Sequence, residues 1–511
     1  MEFPPVQCCD SPASSSAMSA ETSASSLDAT DASAPDGPGS TAPYDAICIG
    51  FGPAGLAIAV ALADAVEARR TSTGVTVHMP RVLFLEQQRA FAWHAGMMLP
   101  GARMQVSFVK DFATLRNPRS QFTFLNYLRV QGRLLDFVNQ ATFYPLREEY
   151  QGYMRWCATQ IDPATVRYGE RGEEVRFDGE EQGMFTVISV CDSGARVVRR
   201  ARNVIICVGG RPRMPTCLPA PSRLARIAQP TPPESLQFPQ IIHSSQIRDF
   251  LDTIRLLSQS VAPPLRRLRV AVLGAGQSAA EIASHLHDIL PRGARVDMIF
   301  PTRALRPSDD SPFVNEIFNP EAVDEVFALD PVSRAKVIAD DRGTNYAVVR
   351  MQLIEHLYAL LYAQKLHSSS GSQENDDAIR LRMMPCRKLV GAQEDIARDV
   401  VKLVLLDTER DVILHDEQPE YHVLIAATGY DRTSACAKLL QPLQKYMPNG
   451  RVEVDRWYQL RLDISPKVWI QGACEETHGL SDSLLSIMAV RGQQIVERVF
   501  PFTSEQCPRG M

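Results

Sequence analysis

The sequence predicts an α/β protein. Two doubly wound, Rossmann-like domains share the chain, the second inserted into the first, with a small helical subdomain and a disordered N-terminal tail. Three observations carry this. A buried strand, a glycine turn and a helix occur at 44–56, and the same succession returns at 269–283, about 220 residues later. A late apolar strand then ends in Ala427-Thr428-Gly429 and leads toward a last helix. The expected division is a tail over 1–43, the first domain over 44–245, the inserted domain over 246–418, and the rest of the first domain with a C-terminal helix over 419–505.

Taken in order, residues 1–43 are rich in Ser, Ala, Thr, Asp and Pro. Such a segment buries too little apolar surface to offset its ordering entropy. The strand at 46–49 runs into Gly50, Gly52 and Gly55, a G-x-G-x-x-G pattern. One glycine serves the turn, one a close approach to a pyrophosphate and one helix–strand packing, and the N-terminus of the helix that follows favours phosphate. That helix is expected from about 54 to 70, followed by a polar excursion over 71–80. The strand at 81–86 ends in Glu86, an acid suited to ribose hydroxyls; the alternative is a surface acid. Glu86 lies 31 residues past Gly55, so 71–80 must loop out.

Residues 91–128 mix aromatics with single polar groups and have no clean period, which suits a pocket wall. A helix is expected over 135–156, strands over 174–177, 184–190 and 201–208, and a proline-rich connection over 211–239. The second unit carries G-x-G-x-x-A at Gly274, Gly276 and Ala279, and its next strand spans 296–300. Arg303 and Arg306 follow, suited to the 2'-phosphate of NADPH or, equally, to a solvated surface. Later expectations are an amphipathic helix over 346–366, a polar loop over 367–377, strands over 401–406, 422–426 and 468–471, and a helix over 481–499.

Composition narrows the function. The chain has 511 residues, 45% hydrophobic and 22% charged, ordinary values for a globular protein of two or three domains. A net charge of -5 gives no case for nucleic acid or an anionic membrane. Eleven cysteines lack a C-x-x-C pair and fit a reducing compartment, so a cytoplasmic location is expected. No Lys or Arg precedes Arg69, which argues against secretory and mitochondrial leaders. The uncharged run at 47–63 is interrupted by Gly50, Gly52, Pro53 and Gly55, which argues against a membrane span. No metal site is expected, since His285 and His287 point apart on a helix.

The chain resembles the flavin-dependent N-hydroxylating monooxygenases, and within them the fungal L-ornithine N5-monooxygenases of siderophore biosynthesis. The resemblance rests on W-H-A-G-M-M-L-P-G (93–101), M-Q-V-S-F-V-K-D (104–111), F-T-F-L-N-Y-L (122–128), G-A-G-Q-S-A-A-E (274–281), R-P-S-D-D-S-P-F-V-N-E-I-F (306–318), T-N-Y (344–346), A-T-G-Y (427–430) and H-G-L-S-D-S-L-L-S (478–486). It implies FAD on the first turn and NADPH on the second. It further implies that reduced flavin takes up O2 as a C4a-hydroperoxide, which the side-chain amine of L-ornithine attacks. By position, Lys110, Asn315, Asn345 and Ser486 would meet the substrate. Gln105 would lie beside the flavin and join Lys110, Asn315 and Asn345 in the catalytic set. The FAD set would be Gly50, Gly52, Pro53, Gly55, Glu86, Trp93, His94, Gln105, Val175, Ser483, Leu484 and Leu485. The NADP set would be Gly274, Gly276, Gln277, Ser278, Ala279, Arg303, Asn345, Tyr346 and Ala347. A homotetramer is also implied.

Bland readings stand beside these. Lys110 next to Asp111 reads equally as a surface pair, and Asn315 as a helix cap. Pro301 falls where relatives of this kind carry an arginine for the 2'-phosphate, leaving Arg303 as the substitute. Among rivals, a disulfide reductase needs a cysteine pair that is missing after Glu86. A carbon or sulfur monooxygenase needs a glycine where 238–243 has Pro239 and Gln240. A non-catalytic flavin scaffold needs no polar pocket. Ornithine and lysine differ by one methylene, so that choice rests on resemblance alone.

Overall fold

The computed structural model describes residues 42–73, 79–179, 183–218, 240–259, 268–368, 380–395, 397–398 and 400–501. Nearly all of the expected tail, residues 74–78 of the expected excursion, and most of the expected connection and of the loop near 370 lie outside these ranges.

The first sheet begins with β1 (Tyr44–Ile49), whose six residues are almost wholly buried, as a strand covered on both faces must be. α1 (Pro53–Thr73) follows, then β2 (Val82–Glu86), paired parallel with β1 from Ala46 opposite Val82. The helices α2 (Phe124–Val130), α3 (Leu134–Asn139) and α4 (Arg147–Thr159) lead to β3 (Val166–Tyr168), β4 (Glu170–Phe177), β5 (Phe185–Cys191) and β6 (Arg196–Ile206). The strand order is β3-β2-β1-β6-β5-β4. β6 does two jobs: its first half pairs antiparallel with β5, and its second half pairs parallel with β1.

After β7 (Arg211–Pro212) the second sheet starts with β8 (Gln240–His243) and α5 (Ile247–Gln259). Then come β9 (Arg269–Leu273), α6 (Gln277–Ile289), β10 (Arg295–Ile299), β11 (Arg306–Pro307), α7 (Pro312–Glu316), α8 (Ala322–Ala328), α9 (Pro331–Asn345), β12 (Val348–Val349) and α10 (Met351–Ser368). Further on lie β13 (Leu381–Met384), β14 (Arg387–Asp395), β15 (Val400–Asp407), β16 (Val412–Ile413), β17 (Glu420–Tyr421), β18 (Val423–Ala426) and β19 (Tyr430–Asp431). Five of these strands make a parallel sheet in the order β13-β10-β9-β18-β8. Alternation along β9 feeds two cores: Val270 and Val272 join one cluster, Ala271 and Leu273 the other. The chain returns through α11 (Thr433–Leu440), β20 (Lys467–Ile470), α12 (Glu475–His478) and α13 (Met488–Val499), with β20 parallel to β6 and α13 packed on α1.

Four expectations need correction. β18, assigned to the returning first domain, pairs instead with β9 and β8, so the second sheet runs from 240 to 426. An apolar run has the same pattern in either sheet, and only the pairing partner decides. The helix expected over 135–156 is two helices, because Ala141 takes φ 48° and Pro145 follows within the break. The helix expected from 346 begins at Met351, since Ala347 has φ 57° and Val348–Val349 pair with Arg306–Pro307. Before that break stands α9, capped by the Asp330 carboxylate on the N–H groups of Val332 and Ser333. The last helix begins at Met488, and 480–483 form a separate 3-10 turn.

Candidate active site

The first glycine turn is built as its spacing requires. Gly50 has φ 103°, and a Cβ there would stand 2.3 Å from the Cys207 carbonyl oxygen. A Cβ on Gly55 would stand 2.2 Å from the Gly50 carbonyl oxygen, whereas Gly52 faces open space. Among the described residues the backbone N–H groups of Gly52, Ala54 and Gly55 have no partner. Unpaired donors at a helix start beneath an open approach fit a pyrophosphate. Glu86 is buried at the end of β2, not a surface acid, and its carboxylate accepts the N–H groups of Phe51 at 2.8 Å and Gln88 at 2.9 Å. Val175 is fully buried opposite Val187.

The second turn repeats the plan with a roof. Gly274 has φ 139°, and its Cβ would lie 2.6 Å from the Ala427 carbonyl oxygen. The N–H groups of Gln277, Ser278 and Ala279 have no partner among the described residues. Ala347 sits over this turn, its Cα 3.5 Å from where a Gly276 Cβ would be. The roof is tied down at both ends. The Arg350 N–H donates to Gln277 Oε1 at 2.9 Å, and the Tyr346 hydroxyl donates to the Glu475 carboxylate. Arg303 stands apart, 89% exposed and 3.7 Å from Glu409.

Between the turns lies the segment at 91–112. His94 takes φ 46°, with its ring 5.5 Å from Trp93 and 5.3 Å from Tyr430. The residue keeps an exposed edge, but loss of water around the ring, with Arg432 and Arg147 nearby, pushes its pKa down to about 4. Gln105 is exposed, and the Arg350 guanidinium donates to the carbonyl of neighbouring Met104 at 3.2 Å. Lys110 is half-buried and donates to Asn319 Oδ1 at 3.5 Å. Burial lowers its pKa and Glu321 opposes the shift. Its neighbour Asp111 is a loop organiser rather than a surface partner. That buried carboxylate accepts the N–H groups of Ala113, Thr114 and Phe124 and the Thr114 hydroxyl.

Asn315, in α7, donates through Nδ2 to the Asp310 carbonyl at 2.9 Å. Asn345 closes α9, which packs on α12 and on 480–483. Lys110 therefore meets the region just past α7 through Asn319, and α9, which Asn345 closes, packs on the stretch leading to Ser486. Ser486 is buried, and its hydroxyl has no partner among the described residues. Ser483, Leu484 and Leu485 precede the last helix rather than opening it. The Leu484 N–H is spent on the Ser481 carbonyl, while those of Leu485 and Ser486 have no partner among the described residues.

Sequence reasoning missed the supports. Arg147 reaches across to Glu281 with two contacts of 3.0 Å, joining the two sheet regions. Arg491 and Asp482 form a fully buried pair at 2.9 Å. His478 is stacked 4.1 Å from Tyr458, and each ring nitrogen has a partner, Thr477 and the Arg456 carbonyl. Burial pushes its pKa down to about 4. Arg147 and Glu281 lie 134 residues apart, so no local spacing announces them.

The family model described as L-lysine 6-monooxygenase/L-ornithine 5-monooxygenase matches residues 42–432. L-ornithine N(5)-monooxygenase of Emericella nidulans is 41% identical over 480 residues, covering 89% of this chain and 89% of that protein. The enzyme of the same name from Cochliobolus heterostrophus is 39% identical over 485 residues, covering 89% and 86%. Among solved structures, the ornithine hydroxylase of Pseudomonas aeruginosa is 32% identical with a TM-score of 0.74, covering 90% of this chain and 99% of that one. The ornithine N-hydroxylase of Kutzneria sp. 744, solved with reduced FAD, NADP+ and L-ornithine, is 32% identical with a TM-score of 0.75 over the same shares. Two glycine turns with a half-buried lysine between them, and matches of this extent, lead to one conclusion: the chain belongs to the L-lysine 6-monooxygenase/L-ornithine 5-monooxygenase family.

Proposed function

We propose that this chain is an FAD- and NADPH-dependent L-ornithine N5-monooxygenase, making N5-hydroxy-L-ornithine for hydroxamate siderophores. The observation that carries the reading is Lys110, a half-buried cation held at Asn319 between two turns that each present unpaired N–H groups. The relatives named above as ornithine monooxygenases support the substrate. FAD lies on Gly50–Gly55 with its ribose at Glu86, and its ring lies toward Trp93, His94, Gln105 and 483–485. NADPH lies on Gly274–Ala279 under Asn345, Tyr346 and Ala347, with Arg303 at the 2'-phosphate. The first domain is then interrupted by the second, which spans 240–426.

Bound FAD supplies electron storage and O2 activation, recharged by hydride from NADPH. The net reaction takes ornithine, NADPH, a proton and O2 to N5-hydroxyornithine, NADP+ and water. The protein positions the amino acid and keeps water away. Lys110 holds the substrate carboxylate through a charge-assisted bond. Asn315 and Asn345 donate and accept together, so each can hold either polar end. The N5 amine reacts only when neutral, and a dry pocket lowers its pKa. Ser486 Oγ offers it an acceptor. The protein acts in the cytoplasm as a homotetramer, an assembly that light scattering checks.

The test measures NADPH oxidation and hydroxylamine formation with ornithine, lysine and putrescine side by side. Hydroxylamine from ornithine at the highest kcat/KM is expected. Equal turnover of lysine would make the chain an N6-hydroxylase, and NADPH oxidation without any hydroxylamine would remove the reading.

A further inference from the structure

The segment at 483–486 has little backbone support of its own. It leaves the 3-10 turn through an extended Leu484, and the N–H groups of Leu485 and Ser486 have no partner among the described residues. Yet it must present those donors accurately. What holds it lies behind it. Arg491 is 1% exposed and donates through Nη1 to the Asp482 carbonyl at 2.6 Å and to Asp482 Oδ1 at 2.9 Å. Asp482 Oδ2 accepts the Cys474 N–H at 2.7 Å. Arg491 Nε donates to Gln471 Oε1 at 2.9 Å, and Gln471 Nε2 reaches the Ala54 carbonyl at 3.4 Å, in the first turn of α1. The Gln471 N–H is itself anchored on Ile206 in β6. The Tyr458 ring lies 5.5 Å from the guanidinium.

We propose that Arg491, with Asp482 and Gln471, is a positioning clamp that fixes the distance between the Gly50–Gly55 turn and the 483–486 segment, and so sets the flavin ring against the substrate amine. This rests on the function proposed above. A buried ion pair is a poor source of stability for its own sake, because both charges must leave water. A chain of four polar contacts that starts at Asp482 and ends on the dinucleotide helix has a geometric use instead. The clamp ties the Gly50–Gly55 turn to the 483–486 segment through protein contacts alone. Small misplacement of reacting groups is costly, so with a loosened clamp the two electrons from NADPH, with two protons, reduce O2 to hydrogen peroxide and the amine is left unoxidised.

The test compares wild type, Arg491→Lys and the double variant Arg491→Met with Asp482→Asn, each as purified full chain with FAD. Hydroxylamine and peroxide formed per NADPH, the visible flavin spectrum, and KM for ornithine and NADPH are read together. In the double variant hydroxylamine per NADPH should fall by about tenfold, with peroxide rising and both KM values near wild type. Arg491→Lys should recover part of the yield. It also decides alone if the double variant does not fold, by a yield below wild type and a shifted flavin spectrum. Wild-type yield in either folded variant would overturn the clamp. Absence of hydroxylamine from the wild type itself would instead remove the proposed function.

Discussion

The two glycine turns share one plan and differ at one atom and one neighbour. At the third position the first turn needs Gly55, because a Cβ would lie 2.2 Å from the Gly50 carbonyl. The second turn carries Ala279 there, with its Cβ 3.5 Å from where a Gly274 Cβ would stand. At the middle position Gly52 opens to space, while Gly276 lies beneath Ala347. The first turn is thus packed tightly from behind and open in front, as suits a cofactor that stays. The second is looser behind and covered in front by a segment held through Tyr346 and Arg350, as suits a nucleotide that comes and goes.

The largest expected effect attacks the tighter turn. Gly55→Ala should yield protein without flavin, with a loss of at least about 3 kcal/mol in stability from the forced backbone shift. The flavin absorbance of purified protein and its melting temperature check this. Retained flavin would show that the first turn is as loose as the second. Next, Lys110→Ala should raise KM for ornithine about 30- to 100-fold and leave KM for NADPH unchanged. Unchanged ornithine affinity would remove Lys110 from the substrate pocket. The milder counterpart at the second turn is Gly276→Ala. Its φ of -96° suits alanine, so the fold and flavin should survive while KM for NADPH rises several-fold, on the order of 1 kcal/mol of binding.

Acid should act on the fold through His478. The folded pKa of His478 lies below its unfolded value near 6.5, so its neutral form stabilises the fold. That contribution is present above about pH 6.5 and is lost as pH falls toward 4, worth roughly 3 kcal/mol in full. His478→Gln, which does not titrate, should flatten the fall in melting temperature over that window. An unchanged slope would exclude His478 as the source. The smallest effect is expected at Arg303. Its side chain is 89% exposed, so Arg303→Ala should raise KM for NADPH only a few-fold and leave NADH unaffected. Equal changes for both nucleotides would end its role at the 2'-phosphate.

The two turns were legible because glycine spacing is a local signal and each glycine answers a local clash. The strands before them were legible for a similar reason: β1 and β9 are short apolar runs bounded by glycine. Membership of β18 in the second sheet was not legible, since Val423–Ala426 would be buried in either sheet. The break after Asn345 depends on one left-handed residue, Ala347, whose type gives no warning. Among the candidate site residues, Lys110 and Ser486 stand out in the sequence because they sit in dense motifs. Glu281 sits inside a quoted motif, but only its distant partner Arg147 gives it meaning. Arg491 sits nine residues past Asp482, a lone charge on the helix face that carries Met488, Ile495 and Val499, and only the fold shows its buried partner. Long-range ion pairs leave no periodic trace.

The most direct test supplies isotopically labelled dioxygen with NADPH and L-ornithine and locates the label in the product by mass spectrometry. One labelled oxygen on N5 of ornithine is the predicted result. Unlabelled product, label on carbon, or peroxide as the sole product would contradict the assignment of both turns and the pocket between them to amine hydroxylation.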